Sequence, residues 1–507
     1  MSAQAGPPSG GGVQPRAARL LLGIALAALA AYAALFAVHA AALVRFPFEA
    51  DYGEGPLLYQ IGLLAHGRSI YRGDGSPPYT VANYPPLYPA AVALLHLLGW
   101  GAGPAAGRAL SAASIFAAAA LCGLTVRAVG ASRLAAAFAA GLLLAQNFVW
   151  QWGALQRVDS LALALGAAGL YAVARRPERA ARAWPWFVLA VLTRQSSVEG
   201  LAAAVWALWP DRRGQALRLL GCWAAALAVV VAALQAATGG QFLVQTVLDN
   251  ANAWRPGLLW SAVSGWVFTG GGLPLLAFAV WGWRLSRGLA GGRLLRGYAV
   301  AAWVLAATSG KVGASLNYFL PSIAASAMLG ALCAQGRRQL TAAVLLCAYA
   351  IGIPPASNAP GPAGAVARAL TAYRDLGTPG YNRLGWTTPA DGLDPAQAAL
   401  YARLRAMPGP ILSENMSDLV LAGHPIYFQP FEMTQVLASG RWSDAPLLAA
   451  AAAGAFPLVV LEFPLDEPAQ WDLERWPPGL LAALAERYVP AGRRGAYYLY
   501  EPAASSG

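Results

Sequence analysis

Long apolar runs separated by short polar segments dominate the first 355 residues of this chain. The runs fall at residues 20–44, 84–100, 106–127, 133–149, 158–175, 184–210, 216–236, 259–284, 297–310, 314–335 and 338–355. A helix needs about 20 apolar residues to cross a bilayer, and most of these runs approach or exceed that length. The pattern predicts an all-α polytopic membrane domain over residues 16–355. Residues 1–15, rich in Gly and Pro, are predicted to form a disordered tail.

The positions of the arginines predict which runs cross the membrane, because cytoplasmic loops collect Lys and Arg. We take run 20–44 to lead outward, run 84–100 to lie in the outer interface, and run 184–210 to be two short spans. The arginine clusters that then fall inside are Arg127 and Arg133; Arg175, Arg176, Arg179 and Arg182; Arg212, Arg213 and Arg218; Arg284, Arg287, Arg293 and Arg296; and Arg337 and Arg338. This assignment predicts about eleven transmembrane helices, a cytoplasmic N-terminus and an outer C-terminus. The alternative for the first run is a cleaved signal peptide ending near AVHAA.

The composition changes after the last apolar run. Gly, Pro and charged residues become more frequent, and short β-rich runs alternate with helix-like stretches. These runs are PILSEN at 410–415, HPIYF at 424–428, PLVVLEF at 457–463 and AYYLYE at 496–501. The alternation predicts a small soluble α/β domain over residues 356–507, outside the membrane.

The overall composition supports a membrane protein and argues against a nucleic-acid-binding one. Hydrophobic residues make up 58% of the chain and charged residues 11%, whereas soluble proteins carry about 25% charged residues. The net charge of +12 comes from short arginine clusters between apolar runs, which we interpret as topology signals. Neither the four cysteines nor the four histidines show the spacing of a disulfide framework or a metal site. A divalent metal is therefore not indicated.

Two carboxylates follow the first apolar run, in a predicted first outer loop at residues 45–105. Asp51 and Glu54 are three residues apart, and Pro56 is suited to the first turn of a helix. A carboxylate at this outer face could accept a proton from an acceptor hydroxyl as a general base. The alternative is a solvated loop in which the carboxylates cap the helix.

Other polar motifs interrupt the apolar runs at positions that the topology places near the same outer face. Arg157 and Asp159 open one run, Arg194 lies in the polar break TRQSS, and Lys311 is the only lysine. Charged groups are costly in hydrocarbon unless they line a wet cavity or a site. Their convergence predicts one outward-facing cavity. The alternatives are a neutralised ion pair in an aromatic belt for Arg157, snorkelling for Arg194 and an ordinary interfacial lysine for Lys311.

These motifs together resemble a known family of membrane enzymes. The acidic loop is followed by IGLLAHGRSIY and YPPLYP, and later by the TRQ break and the segment NYFLP. Over residues 16–355 this arrangement resembles the bacterial membrane glycosyltransferases of the GT-C fold, in particular relatives of the protein O-mannosyltransferases and the aminoarabinose transferase of lipid A. The acidic-glycine step of the family falls on Glu54 and Gly55. The family usually has aspartate directly before that glutamate, whereas this chain has Gly53 there and Asp51 two positions earlier.

The resemblance implies a reaction as well as a fold. A sugar would move from a polyprenyl-phosphate donor such as undecaprenyl phosphate to a hydroxyl of a lipid, glycan or protein. The reaction would take place on the periplasmic face of a bacterial inner membrane, with no bound cofactor. Asp51 or Glu54 would be the base. The donor phosphate would be held by Arg157, Arg194 and Lys311, and the substrates would contact Tyr84, Asp159, Gln195, Asn317 and Tyr318.

Two other functions are compatible with the same pattern. A transporter or lipid flippase would also have many spans with embedded charges, although its path needs polar residues toward the inner face too. A catalytically inactive lipid-binding relative would keep the fold without needing Asp51 or Glu54.

Overall fold

The computed structural model of the chain describes residues 16–73, 75–269, 272–335 and 395–504, together with residues 342, 345, 346 and 349. The helices of the first part are α1 (Arg16–Arg45), α2 (Glu54–Ala65), α3 (Leu87–Leu95), α4 (Ala105–Ala128), α5 (Arg133–Leu144), α6 (Asn147–Trp152), α7 (Asp159–Arg175), α8 (Trp184–Thr193), α9 (Glu199–Leu208), α10 (Arg213–Ala237), α11 (Gln241–Leu243), α12 (Pro256–Ser264), α13 (Gly272–Ser286), α14 (Gly292–Ala306) and α15 (Leu320–Gly330). The predicted tail at 1–15 and most of the predicted run at 338–355 lie outside the described residues.

Several of these helices are suited to a membrane. Within the described part of the chain, helices α1, α4 and α10 and the stretch Leu316–Ala334 are long and apolar enough to cross a bilayer. A fifth span is possible if Pro256–Phe268 and Gly272–Ser286, which meet at 84°, act as one broken span. The shorter apolar helices leave the number of crossings open, so the predicted eleven spans remain a prediction.

Two details of the predicted topology can be compared with helix boundaries. Run 84–100 forms α3 and a π turn at His96–Trp100, and so is shorter than the spanning helices. Run 184–210 is divided into α8 and α9 by a break over residues 194–198, where TRQSS interrupts the apolar sequence. The break lets polar side chains lie between apolar helices.

The C-terminal part combines helices with a small sheet. Its elements are α16 (Pro395–Ala406), β1 (Leu412–Ser413), α17 (Met416–Ala422), α18 (Pro430–Ala438), α19 (Ala445–Ala452), β2 (Val459–Leu461), α20 (Pro478–Arg487), β3 (Tyr488–Arg494) and β4 (Tyr497–Pro502). The strand order is β1-β2-β4-β3, with β1 parallel to β2 and the other pairs antiparallel. The sheet therefore mixes one crossover connection with a hairpin.

Three of the four predicted β-rich runs contain a strand, and one does not. Run 424–428 makes only an isolated bridge, in which Phe428 pairs with Tyr79 of the first outer loop. Strand β3 was not predicted, because Pro490 and Gly492 are unfavourable in strands. It is an edge strand, and its register shifts between these two residues.

The C-terminal domain packs directly on the first outer loop. The N–H of Tyr79 donates to the carbonyl of Tyr427 at 2.8 Å, and the carbonyl of Tyr79 accepts from the N–H of Gln429 at 3.0 Å. Gly55 of α2 lies against α17, where a Cβ added to it would be 2.7 Å from the backbone nitrogen of Ser417. These contacts hold the domain over the start of α2.

Candidate active site

A cavity of about 380 Å³ lies between the loops of the membrane domain and the C-terminal domain. Five of the residues predicted from the sequence line it: Asp51, Tyr84, Arg157, Lys311 and Tyr318. The cavity is therefore formed by segments that are far apart in the chain, as the predicted convergence of polar motifs requires.

Asp51 presents a carboxylate to this cavity beside a guanidinium group. Its Oδ2 accepts a hydrogen bond from the Gly53 N–H at 3.0 Å, an Asx-type turn that leads into α2. The same oxygen lies 3.1 Å from Nη1 of Arg157, whose guanidinium also stacks on Trp152 at 5.0 Å from the ring centroid. The side chain of Asp51 is 20% exposed and that of Arg157 is 14% exposed. Both groups can therefore reach a bound substrate.

Glu54 has a different environment, although it is only three residues away. Its residue exposure is 1%, and both carboxylate oxygens bind Arg108, Oε1 to Nε at 2.9 Å and Oε2 to Nη2 at 2.6 Å. The backbone N–H groups of Gln156 and Ala50 donate to the same carboxylate at 2.7 and 2.9 Å. Four donors therefore occupy the carboxylate of Glu54 inside the protein.

Arg108 joins the start of α4 to the end of the first helix. In addition to Glu54, its guanidinium donates to the carbonyls of Leu43, Phe46 and Phe48, at 2.9, 2.5 and 2.6 Å. An arginine with this many partners in a buried site is a strong positioning contact. The pair fixes the loop that carries Asp51.

The two carboxylates differ in acidity for physical reasons. Burial is the largest influence on the pKa of Asp51 and raises it, and the charge of Arg157 opposes that rise without cancelling it. Burial would also raise the pKa of Glu54, but Arg108 and the two backbone N–H donors outweigh it and lower the pKa. Asp51 is therefore the stronger proton acceptor of the two, and Glu54 stays ionised within its ion pair.

Lys311 reaches the cavity from the loop after α14. Its Nζ donates to the carbonyl oxygen and to Oδ1 of Asn250, at 2.9 and 2.6 Å. The loop that contains Asn250 is held in place because Trp254 pairs with Lys311 in an isolated antiparallel bridge. Burial is the main cause that lowers the pKa of the Lys311 ammonium group.

A second polar group lies directly behind the cavity wall. The Oδ1 of Asp159 accepts from Nδ2 of Asn317 at 3.0 Å and lies 3.3 Å from Nη1 of Arg194. The guanidinium of Arg194 lies over the ring of Tyr318, 4.3 Å from its centroid. Arg194 is thus separated from the cavity by Tyr318, which itself lines it.

Side-chain hydrogen bonds hold the backbone of Asn83 and Tyr84 beside the cavity. The Nε2 of Gln195 donates to the carbonyls of Asn83 and Thr246, at 2.9 and 3.0 Å. Asn83 and Tyr84 both line the cavity, and the Tyr84 carbonyl accepts from the hydroxyl of Tyr71 at 2.8 Å. Gln195 therefore orders the loop that carries Tyr84.

The structure adds residues around this site that the sequence did not single out: Arg108 behind the cavity, and a wall from the C-terminal domain. Arg108 is a lone charge near the start of an apolar run, which is itself a signal of a functional or structural ion pair. The C-terminal domain adds a wall whose members are Phe431, Glu432, Trp471, Glu474 and Arg475. No local signal in residues 430–475 predicted this wall, because it depends on how the domain docks.

The arrangement is suited to anionic substrates and proton transfer. Arg157 and Lys311 supply positive charge in a partly enclosed space, where it stabilises phosphate oxygens better than in water. Among the described residues, no three His, Cys, Asp or Glu side chains come together as ligands for a metal ion. We therefore assign no residues to a metal.

Comparisons with known proteins identify the fold. No protein-family model and no curated protein matches the sequence. ArnT from Cupriavidus metallidurans in the apo state aligns with a TM-score of 0.60 and 15% identity, over 96% of this chain and 98% of that one. The same protein bound to undecaprenyl phosphate gives a TM-score of 0.55 and 14% identity, with the same coverage.

A third structure, of a longer protein, shares the architecture. The archaeal oligosaccharyltransferase AglB from Archaeoglobus fulgidus, in complex with an inhibitory peptide and a dolichol-phosphate, has a TM-score of 0.53 and 14% identity. The alignment covers 95% of this chain and 74% of that protein. ArnT and AglB are both glycosyltransferases of the GT-C type. The chain therefore has the GT-C fold, a helical membrane domain followed by a small domain with a sheet.

Proposed function

We propose that this protein is an integral-membrane glycosyltransferase that moves a sugar from a polyprenyl-phosphate donor to a hydroxyl acceptor. The reaction takes place on the periplasmic face of the membrane, in the cavity described above. The observation that carries the proposal is a carboxylate, Asp51, beside Arg157 and in one cavity with Lys311. Two solved structures with this fold contain undecaprenyl phosphate or dolichol phosphate, which supports a lipid phosphate as the leaving group here.

The reaction step uses these residues as follows. The oxygen of the acceptor hydroxyl attacks the anomeric carbon of the sugar, on the side opposite the phosphate. The bond from that carbon to the phosphate oxygen breaks, and its electron pair leaves with the polyprenyl phosphate. Asp51 takes the hydroxyl proton as general base. Arg157 and Lys311 stabilise the charge that grows on the phosphate.

The contacts of the two carboxylates favour Asp51 over Glu54 as this base. Asp51 lines the cavity, and its pKa is raised, whereas Glu54 is enclosed by four donors and its pKa is lowered. In this proposal Glu54 and Arg108 position the loop. Arg194, Asp159 and Asn317 have a similar supporting role, because they hold Tyr318 at the cavity wall.

Mass spectrometry of cell-envelope glycolipids and glycoproteins tests the proposal. A deletion strain is complemented with wild type, with Asp51→Asn, or with Asp211→Asn as a control at an exposed aspartate between α9 and α10. We expect one product to lose a single sugar mass in the deletion strain. Wild type and Asp211→Asn restore it, and Asp51→Asn does not, despite equal amounts of protein in the membrane. Unchanged glycans, or full complementation by Asp51→Asn, would exclude this transferase mechanism and favour a transporter.

A further inference from the structure

The cavity has two sides of different chemical character. The membrane domain supplies Asp51, Arg157 and Lys311, the groups suited to a phosphate and a proton. The C-terminal domain supplies two aromatic rings and two carboxylates, together with Arg475. The charge of Arg475 is already balanced, because its Nη1 lies 3.0 Å from Oε1 of Glu414 and 3.7 Å from Oε2 of Glu462. Glu474 is likewise paired, because its Oε1 lies 2.7 Å from Nη1 of Arg255. The domain side therefore presents aromatic rings and the carboxylate of Glu432.

Trp471 forms an aromatic surface at the edge of this side. The guanidinium of Arg475 lies 4.2 Å from the Trp471 ring centroid and 4.5 Å from that of Tyr52, so it packs against both rings. Glu414 anchors this arginine and also accepts from the indole N–H of Trp476. Trp471 nevertheless remains 48% exposed. A large indole that packs on an arginine and is left this open offers a flat apolar face to a ligand.

Glu432 brings a carboxylate oxygen into the same region. It lies in the first turn of α18 and lines the cavity. Among the described residues its Oε2 is buried and has no hydrogen-bond partner. A buried carboxylate oxygen without a donor is costly, and a ligand hydroxyl would supply the missing donor.

We propose that this side of the cavity is the acceptor subsite and that the acceptor is a neutral glycan. A sugar ring has an apolar face that stacks on an aromatic ring and hydroxyl groups that donate to carboxylates. An anionic acceptor would meet the carboxylate of Glu432, whose Oε2 has no donor among the described residues, and a lipid acceptor would need a more apolar wall. The inference rests on the proposed function, since it assumes that the donor phosphate occupies the side of Arg157 and Lys311. It adds the class of the acceptor.

Ligand-observed NMR tests the glycan site directly. The full-length protein is reconstituted in lipid nanodiscs free of glycosidic detergent, and saturation transfer to a panel of neutral trisaccharides is measured. We expect binding by wild type, and binding at least tenfold weaker in Trp471→Ala and Glu432→Gln. Trp471→Phe retains most of the affinity because it keeps an aromatic face. The absence of trisaccharide binding by wild type, or equal binding by all variants, overturns the proposal.

Matched controls on the same domain separate the site from general stability. Tyr498→Ala removes a ring that also stacks on an arginine, Arg493 at 4.7 Å, but lies in β4 away from the cavity. Glu486→Gln neutralises an exposed carboxylate of α20. Both controls are expected to bind trisaccharides as wild type does. Weakening by these controls as large as that of Trp471→Ala would overturn the proposal.

A second measurement on the same samples keeps the donor and acceptor hypotheses apart. Undecaprenyl phosphate is expected to raise the melting temperature of wild type, Trp471→Ala and Glu432→Gln alike, and to raise that of Arg157→Gln by a smaller amount, because Lys311 remains. If the lipid phosphate stabilises wild type but no trisaccharide binds, the acceptor proposal alone fails. If trisaccharides bind but the lipid phosphate has no effect, the proposed donor fails and the glycan site stands.

Discussion

At the scale of single residues, the two neighbouring carboxylates have separate tasks. Glu54 neutralises Arg108 in a site with almost no solvent exposure, while Asp51 faces the cavity. Removal of one partner from a buried ion pair leaves an uncompensated charge, which costs about 3–5 kcal/mol. Removal of a general base mainly slows the reaction. The two carboxylates should therefore respond differently to neutral substitution.

We predict that Glu54→Gln lowers the melting temperature and the amount of protein in the membrane, consistent with that cost. Asp51→Asn should keep both near wild type and reduce turnover by about 10²–10⁴-fold. Thermal unfolding of purified protein and a sugar-transfer assay measure the two effects. A stable, fully active Glu54→Gln variant would contradict the structural role of the pair.

The pH dependence of the reaction provides a second residue-scale prediction. A base must be ionised, so activity is lost as the pH falls through the pKa of Asp51. Burial raises that pKa despite Arg157, so the acid limb of kcat/KM should lie above the value of about 3.9 for an ordinary aspartate.

The Arg157→Gln variant lacks the charge that opposes the rise in the pKa of Asp51, so the acid limb of kcat/KM should move to still higher pH. Arg157→Lys keeps the charge and should leave the limb closer to that of wild type. Measurement of kcat/KM across the acid range for wild type and both variants tests this prediction. An acid limb that does not respond to the charge at residue 157 would argue that another group is the base.

At the scale of elements, the turn into α2 is shaped by a close approach of backbone and side chain. A Cβ added to Gly53 would lie 1.2 Å from Nη1 of Arg157, although the backbone at Gly53 is one that alanine readily adopts. Only glycine therefore lets the guanidinium lie across the turn and reach Asp51. The requirement comes from space and not from backbone strain.

We predict that the Gly53→Ala variant folds normally but that its Arg157 side chain is displaced. Its apparent affinity for undecaprenyl phosphate, measured from thermal stabilisation, should be at least tenfold weaker. Gly62→Ala, within α2, is the matched control, because a Cβ there meets nothing within 4 Å. It should be neutral or stabilise by up to about 1 kcal/mol. Equal lipid affinity in both variants would contradict the role of this close approach.

At the scale of the whole molecule, the proposed orientation places the cavity and the arginine clusters on opposite faces of the membrane. Helix α7 begins at Asp159, behind the cavity, and ends at Arg175. Its 17 residues extend about 25 Å, close to the thickness of the hydrocarbon core. The cluster at the end of α7 therefore lies nearly the thickness of the hydrocarbon core from the site.

Labelling of single cysteines tests this orientation, in a background in which Cys122, Cys222, Cys333 and Cys347 are all replaced by alanine. A cysteine introduced at the exposed Ser443 of the C-terminal domain should react with a membrane-impermeant maleimide in cells with a permeabilised outer membrane. A cysteine at Arg179 should react only after the inner membrane is opened. The reverse pattern would place the cavity on the cytoplasmic face.

The sequence alone determined the main character of this protein. Apolar run lengths predicted a helical membrane domain, because a bilayer demands long apolar helices, and the change in composition predicted the C-terminal α/β part. The fold comparison confirms the GT-C architecture that the motifs indicated. Charged residues in or beside apolar sequence also pointed to Asp51, Arg157 and Lys311, since charge is costly there unless it lines a wet cavity or a site.

Only the tertiary structure decided how these residues divide their roles. The partner of Glu54 is Arg108, 54 positions away, and Arg194 lies behind Tyr318. Spacing along the chain therefore could not distinguish Glu54 or Arg194 from a residue that faces the cavity. The wall containing Trp471 and Glu432 exists because Tyr79 and Gly55 dock the C-terminal domain over α2. The local sequence pattern indicates whether a segment lies in water or in lipid. A site depends on contacts between distant segments, and only the packing of those segments establishes them.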